Sequence, residues 1–206
     1  MEVVLAGDII GSQRNQPKTY LKTIEEVLKR YSSPNRFLIY RGDSFQAWMD
    51  HPELALHCAI ELKAALKRTA LLDVRIAIGL GSVTIIDNNI AKSTGSALTK
   101  SGELLDILKS KDQEVMIDGG KHLDVYMNSL LKMALLFMNE WTQSGASTVY
   151  EMFKTPYITQ AELGKKLGVQ QATASRRLDR AHWQETQEVL NVFKQYYKDV
   201  SDGSID

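Results

Sequence analysis

Cys58 is the sole cysteine in 206 residues, so no disulfide can form within the chain, and the composition suits a reducing cytoplasm. There is no net charge: 25 basic residues balance 25 acidic ones, so no global field draws the protein toward nucleic acid or membrane. Any such attraction must come from a local patch. Long apolar runs are missing too. The longest, Met133 to Met138, is far too short to span a bilayer, which argues against a membrane partner. The opening Met1-Glu2 has neither a basic start nor a long apolar stretch, and reads as carrying no signal peptide. The histidines at 51, 57, 122 and 182 lack zinc-ligand spacing, and the glycine-rich stretches lack the residue order of a Walker loop. Internal repeats and low-complexity tracts are also absent.

What is present reads as two regions. Glu2 to Ile9 predicts a buried strand. Tyr20, Ile24, Val27, Leu28 and Tyr31 share a helical face, predicting a helix over Gln16 to Tyr31. "RFLIY", the turn "RGD" and "SFQAWM" predict a hairpin. Behind Pro52, the residues Ala55, Ala59, Leu62 and Leu66 recur at helical spacing. "DVRIAIGLGSVTII" reads as a strand pair, with Val74, Ile76, Ile78 and Leu80 on one face and Gly79 and Gly81 on the other. A helix through Leu98, Leu105 and Leu108 and a strand at "EVMI" complete the region. This order predicts an α+β fold: a mostly antiparallel, ferredoxin-like sheet with helices on one face, over residues 1–120. From residue 121 to 206 only helical patterns remain, and the tail "DVSDGSID" is expected to fray.

Asp8 ends the first strand and Asp43 lies in the hairpin turn. In a ferredoxin-like sheet these strands are central neighbours, so both carboxylates can meet at one end. Two carboxylates and a backbone carbonyl, here that of Ile9, suit Mg²⁺, which prefers oxygen ligands. Gly11 and Ser12 lie where a turn can offer N–H groups to a phosphate. The alternative is that both aspartates merely form turns, as aspartate commonly does.

Four motifs in order then resemble a known family. "DIIGS" and "YRGDSF" are similar to the two metal motifs of class III nucleotide cyclases. "VRIAIGLG" resembles the strand after their second helix, and "TGSALTKSG" the segment before their last catalytic helix. With the helical region added, the chain most resembles the SatD family. The resemblance implies a cyclase-like domain, a metal held by Asp8, Asp43 and the Ile9 carbonyl, and a nucleotide-like ligand. It also shows departures. Thr99 and Glu103 stand where the cyclases carry asparagine and arginine, and Ile39 stands in place of the adenine-reading lysine. A glutamate cannot stabilise developing negative charge as an arginine does. Arg41, Lys92 and Lys100 are the cations available to substitute.

The second constellation is "ITQAELGKKLGVQQATASRRLDRAHW", Ile158 to Trp183. Thr159 and Glu162 form a capping box. Gly164 is small where a second helix must cross, and Gly168 permits positive φ at the turn. The pattern resembles bacterial helix-turn-helix sequences. Its second helix, Gln170 to Ala181, carries Gln170, Gln171, Thr173, Ser175, Arg176, Arg177 and Arg180, and the first carries Lys165 and Lys166. Glutamine and arginine bond base edges; serine, threonine, lysine and arginine hold phosphates. From Lys154 to Gln184 six basic residues face two acids, the local patch that the neutral whole left open. The alternative is a protein-interaction hairpin. "MNSLLKMALLFMNEW" before it is apolar nearly all round and fits either a core helix or the seam of a homodimer. Three functions follow: a cytoplasmic DNA-binding regulator sensing a nucleotide or phosphate ligand, a divergent Mg²⁺-dependent cyclase or phosphoryl-transfer enzyme, or an adaptor.

Overall fold

The computed structural model describes residues 1–14, 17–70, 72–87, 89–111 and 113–203. The chain forms β1 (Glu2–Ile10), α1 (Pro17–Leu28), β2 (Phe37–Tyr40), β3 (Ser44–Trp48), α2 (Ala55–Ala70) and β4 (Asp73–Gly81). There follow β5 (Thr84–Ile86), β6 (Asn89–Thr94), α3 (Ser96–Ser110) and β7 (Val115–Asp118). The rest is helical: α4 (Leu123–Met138), α5 (Gln143–Lys154), α6 (Gln160–Leu167), α7 (Gln171–Arg180) and α8 (Trp183–Ser201). Among the described residues no helix is long and apolar enough to cross a membrane.

The main sheet has the order β2-β3-β1-β4-β7, antiparallel throughout except for the parallel β4–β7 pair. β1 is central and covered on both sides, which is why Val3, Val4, Leu5 and Ala6 are all buried. Val3, Leu5 and Ile9 face a core with α1 and α2, whereas Ala6 meets Leu104, Leu105 and Leu108 of α3. The expectation of helices on one face is therefore corrected: α3 covers the opposite one. Glycine makes that possible. A Cβ on Gly79 would lie 2.4 Å from the Ala97 carbonyl oxygen, and one on Gly81 2.2 Å from the Ser96 hydroxyl. Only a strand face without side chains lets the helix backbone come so close.

Three further expectations change. The segment after β4 does not pair with it; β5 pairs with β6 in a separate ribbon. α1 stops at Leu28, and Arg30 and Tyr31 close tight turns onto the carbonyls of Val27 and Leu28. Gln16, its expected first residue, lies outside the described residues. At the other end α8 runs to Ser201, because Val200 is 1% exposed and belongs to the core. The last three residues of the expected frayed tail, 204–206, lie outside the described residues.

α2 is engulfed. Nearly every side chain from Ala55 to Leu66 is buried, including Glu61 and Lys63, because the sheet and α1 cover one side and α5 the other. The core beneath the sheet is thus continuous with Met127, Leu131, Leu135 of α4, Val149 and Tyr150 of α5, and Phe193 and Tyr196 of α8. Two buried charges are held inside it. Glu61 accepts from Tyr31 Oη at 2.6 Å and pairs with Arg30. Lys63 Nζ donates to both oxygens of Asp73, at 2.7 and 2.9 Å.

Candidate nucleic-acid interface and the carboxylate end of the sheet

β1 antiparallel to β3 sets Asp8 opposite Ser44, one residue from Asp43, so the two aspartates do lie at adjacent strand ends. The Ile9 N–H donates to the Asp43 carbonyl at 2.9 Å and ties the turn to β1 at the position of the Ile9 carbonyl. Gly11 (φ +81°) turns the chain so that Ser12 Oγ, nearly buried, donates to Asp43 Oδ2 at 2.9 Å. Ser44 Oγ donates to Asp43 Oδ1 at 3.2 Å. Arg41, with φ +54°, is exposed in the same turn. Gly11, Ser12, Arg41, Asp8 and Asp43 therefore gather at one end of the sheet.

Lys100 does not join them. Its ammonium donates to the Leu80 carbonyl at 3.1 Å. Leu80 is five residues along β4 from Arg75, the cross-strand partner of Asp8, or about 16 Å away at ~3.3 Å per residue. Lys92 pairs with Asp87 at 2.8 Å on the exposed β5–β6 ribbon.

The residue that sequence reasoning missed is Arg75. Its Nη1 donates to Asp8 Oδ2 at 2.7 Å, while Asp8 Oδ1 is buried with no hydrogen-bond partner. Burial pushes the Asp8 carboxyl above its ordinary pKa, against the pull of Arg75. Arg75 alternates with buried Val74 and Ile76, and in sequence looks like any polar residue on a half-covered strand. As held, Arg75 occupies Asp8 Oδ2 and hydroxyls occupy both oxygens of Asp43, which leaves Asp8 Oδ1 as the open carboxylate oxygen of the pair. An ion joining the two carboxylates would take Asp8 Oδ1 and displace a hydroxyl from Asp43.

α6, α7 and the turn between them are built as the sequence dictates. Thr159 caps α6, its hydroxyl accepting from the Glu162 N–H at 3.3 Å while Glu162 Oε2 accepts from the Thr159 N–H at 2.9 Å. Gly168 takes φ +65° and ends the helix. Gly164 packs under the start of α7: an added Cβ would be 2.8 Å from the Val169 carbonyl oxygen. Leu163, Ala174 and Leu178 form the small core, with Ile158, Leu167, Val169 and Trp183 against it.

On α7, Ala174 and Leu178 face inward and Gln171, Arg176 and Arg180 are exposed, with Thr173, Ser175 and Arg177 half-buried. Gln170 caps the helix and is exposed. Lys165 is exposed on α6. Lys166 is turned inward on its own protein: Nζ donates to Thr155 Oγ1 at 2.6 Å and pairs with Glu151 at 3.5 Å. No protein-family model matches the chain, and no curated protein does.

Proposed function

We propose that the protein is a DNA-binding regulator in which α6 and α7 contact the duplex and the carboxylate end of the sheet holds a small nucleotide or phosphate ligand. The observation that carries the reading is α7 itself: Thr173, Arg176, Arg177 and Arg180 on a helix held across α6 by Gly164 and Gly168. Phosphate contacts by such side chains supply affinity, and base-edge contacts supply specificity. The order β2-β3-β1-β4 is that of a ferredoxin-like sheet, as the cyclase-like resemblance implies, whereas the likeness to the SatD family rests on the sequence motifs alone. Ligand binding at the sheet end runs through Gly11, Ser12 and Arg41, with Asp8 Oδ1 open beside them. Thr99 and Glu103 are both exposed on α3, and the Thr99 hydroxyl donates back to Gly95, so cyclisation of ATP or GTP is not expected. A second copy completes the proposal. Val125, Tyr126, Met133 and Leu136 leave an apolar stripe exposed along α4, a seam that would pair two reading helices.

The test is fluorescence anisotropy on selected and random duplexes across a salt series. Log affinity should fall linearly with log salt. Absence of any salt-sensitive binding by the wild type would overturn the DNA-binding reading. Cyclic nucleotide formation that Asp8→Ala abolishes would put the enzyme first.

A further inference from the structure

A cavity of about 540 Å³ opens between α7 and the first turn of α5. One wall carries Arg176, Arg177, Arg180 and Thr173; the other carries Thr142 and Ser144. The helical repeat explains the convergence. Residues four apart share a face, so Arg176 stands beside Arg180, and Thr173 stands beside Arg177. The two pairs lie on neighbouring stripes, and both stripes border the same hollow. Among the described residues none of the three guanidinium groups has a hydrogen-bond or ion-pair partner, although Glu140 also lines the cavity. Three unpaired cations on one concave wall repel one another, and that arrangement costs stability until an anion sits among them. The opposite wall offers hydroxyls: Thr142 Oγ1 and Ser144 Oγ lie 3.2 Å apart.

Resting on the DNA-binding reading, we infer that this cavity is a phosphate-ester site that seats the DNA backbone beside the reading helix. Guanidinium groups match phosphate oxygens with two parallel N–H donors each, which a lysine cannot do. The volume far exceeds the ~30 Å³ share of one water and admits a phosphate with its sugar. The cavity divides the work of α7. Arg177 and Arg180, with Thr142 and Ser144, anchor the backbone. Gln171 and Ser175, on the flank of α7 that does not line the cavity, are left to meet base edges. A free phosphorylated molecule has the same chemistry, and the experiment separates the two sources.

Arg177→Gln, Arg180→Gln and the flank variant Gln171→Ala are compared with the wild type, all as full chains with unchanged circular dichroism. Affinity is read on selected and random duplexes over a salt series, and melting temperature is read with and without pyrophosphate at matched ionic strength. Each arginine variant should lose roughly tenfold or more on both duplexes, and about one unit of log–log salt slope. Gln171→Ala should lose affinity on the selected duplex alone. If the wild type binds DNA with salt dependence and neither arginine variant differs from it, the site is refuted while the DNA reading stands. If the wild type ignores DNA but pyrophosphate raises its melting temperature, and the arginine variants abolish that rise, the site stands with a free ligand and the DNA reading falls. If neither DNA nor pyrophosphate has an effect, both fall.

Discussion

Arg75 stands directly across the β1–β4 pair from Asp8, and its Nη1 lies 2.7 Å from Asp8 Oδ2. The contact places a fixed cation at the sheet end where the cyclase resemblance calls for a metal. Arg75→Gln should cost about 1–3 kcal/mol at neutral pH, since it leaves a largely buried carboxylate without its charged donor. The loss should shrink in acid. Asp8 has a folded pKa already raised by burial, so its contribution to stability is present below the ordinary carboxylate range and is lost as pH rises. Removing Arg75 takes away a lowering influence and makes that loss steeper. Urea titrations of both proteins at pH 4 and pH 7 check this; an equal difference at the two pH values would refute it.

His57 titrates in the opposite sense. Burial, then Lys194, lowers its pKa to about 4, below the ordinary 6.5. The unfolded chain binds the proton first, so this group's contribution is complete above pH 6.5 and falls as the solution is acidified. It amounts to about 2 kcal/mol between pH 7 and pH 5. His57→Phe should remove that part of the acid sensitivity, visible as a smaller drop in denaturation midpoint over the same interval.

Lys63 and Asp73 are unequal partners. Lys63 is fully buried, whereas Asp73 keeps a second cation, Lys67, at 3.0 Å. Lys63→Met replaces a buried charge by an apolar chain and leaves Asp73 paired, so stability should move by under ~1 kcal/mol. Asp73→Ala strands Lys63 inside the protein and should cost about 3 kcal/mol or more. Chemical denaturation of the two variants settles the order, and equal losses would contradict it.

Gly164 and Gly168 should fail differently when changed to alanine. At Gly164 the new methyl meets backbone at 2.8 Å, so α6 and α7 must separate, at about 1–3 kcal/mol and, on the proposed DNA-binding function, with loss of DNA affinity. At Gly168 nothing lies within 4 Å, and the cost is the left-handed backbone alone, about 1 kcal/mol. A thermal melt paired with anisotropy distinguishes steric opening, which moves both readouts, from strain, which moves mainly the first.

The legible parts of this protein were those written locally. The run from Val3 to Ala6 marks a central strand, and Thr159, Glu162, Gly164 and Gly168 specify α6 and the turn that follows it within ten residues. The parts that escaped depend on partners distant in sequence. Glu61 and Lys63 look like the solvent face of an amphipathic helix until α5 covers them. Arg75 gains meaning only from the register that sets it against Asp8, and Lys100 loses its expected role through the same register. Gly79 and Gly81 did announce a bare strand face, but not that a helix would occupy it. β6 was missed because Asn89, Lys92 and Ser93 hide a strand whose one deeply buried side chain is Ile90.

The engulfed α2 also dictates when this protein can fold during its own synthesis. Its outer wall is α5, and the core around α5 is closed by Leu190 and Phe193 of α8, while the Tyr197 hydroxyl reaches back to the Met1 carbonyl at 2.6 Å. A nascent chain halted after β7 therefore exposes one whole side of α2 to solvent and to any chaperone. Such widely separated pairings close slowly. Ribosome-bound chains should stay sensitive to protease until α8 has cleared the exit tunnel, with no protected N-terminal half appearing first.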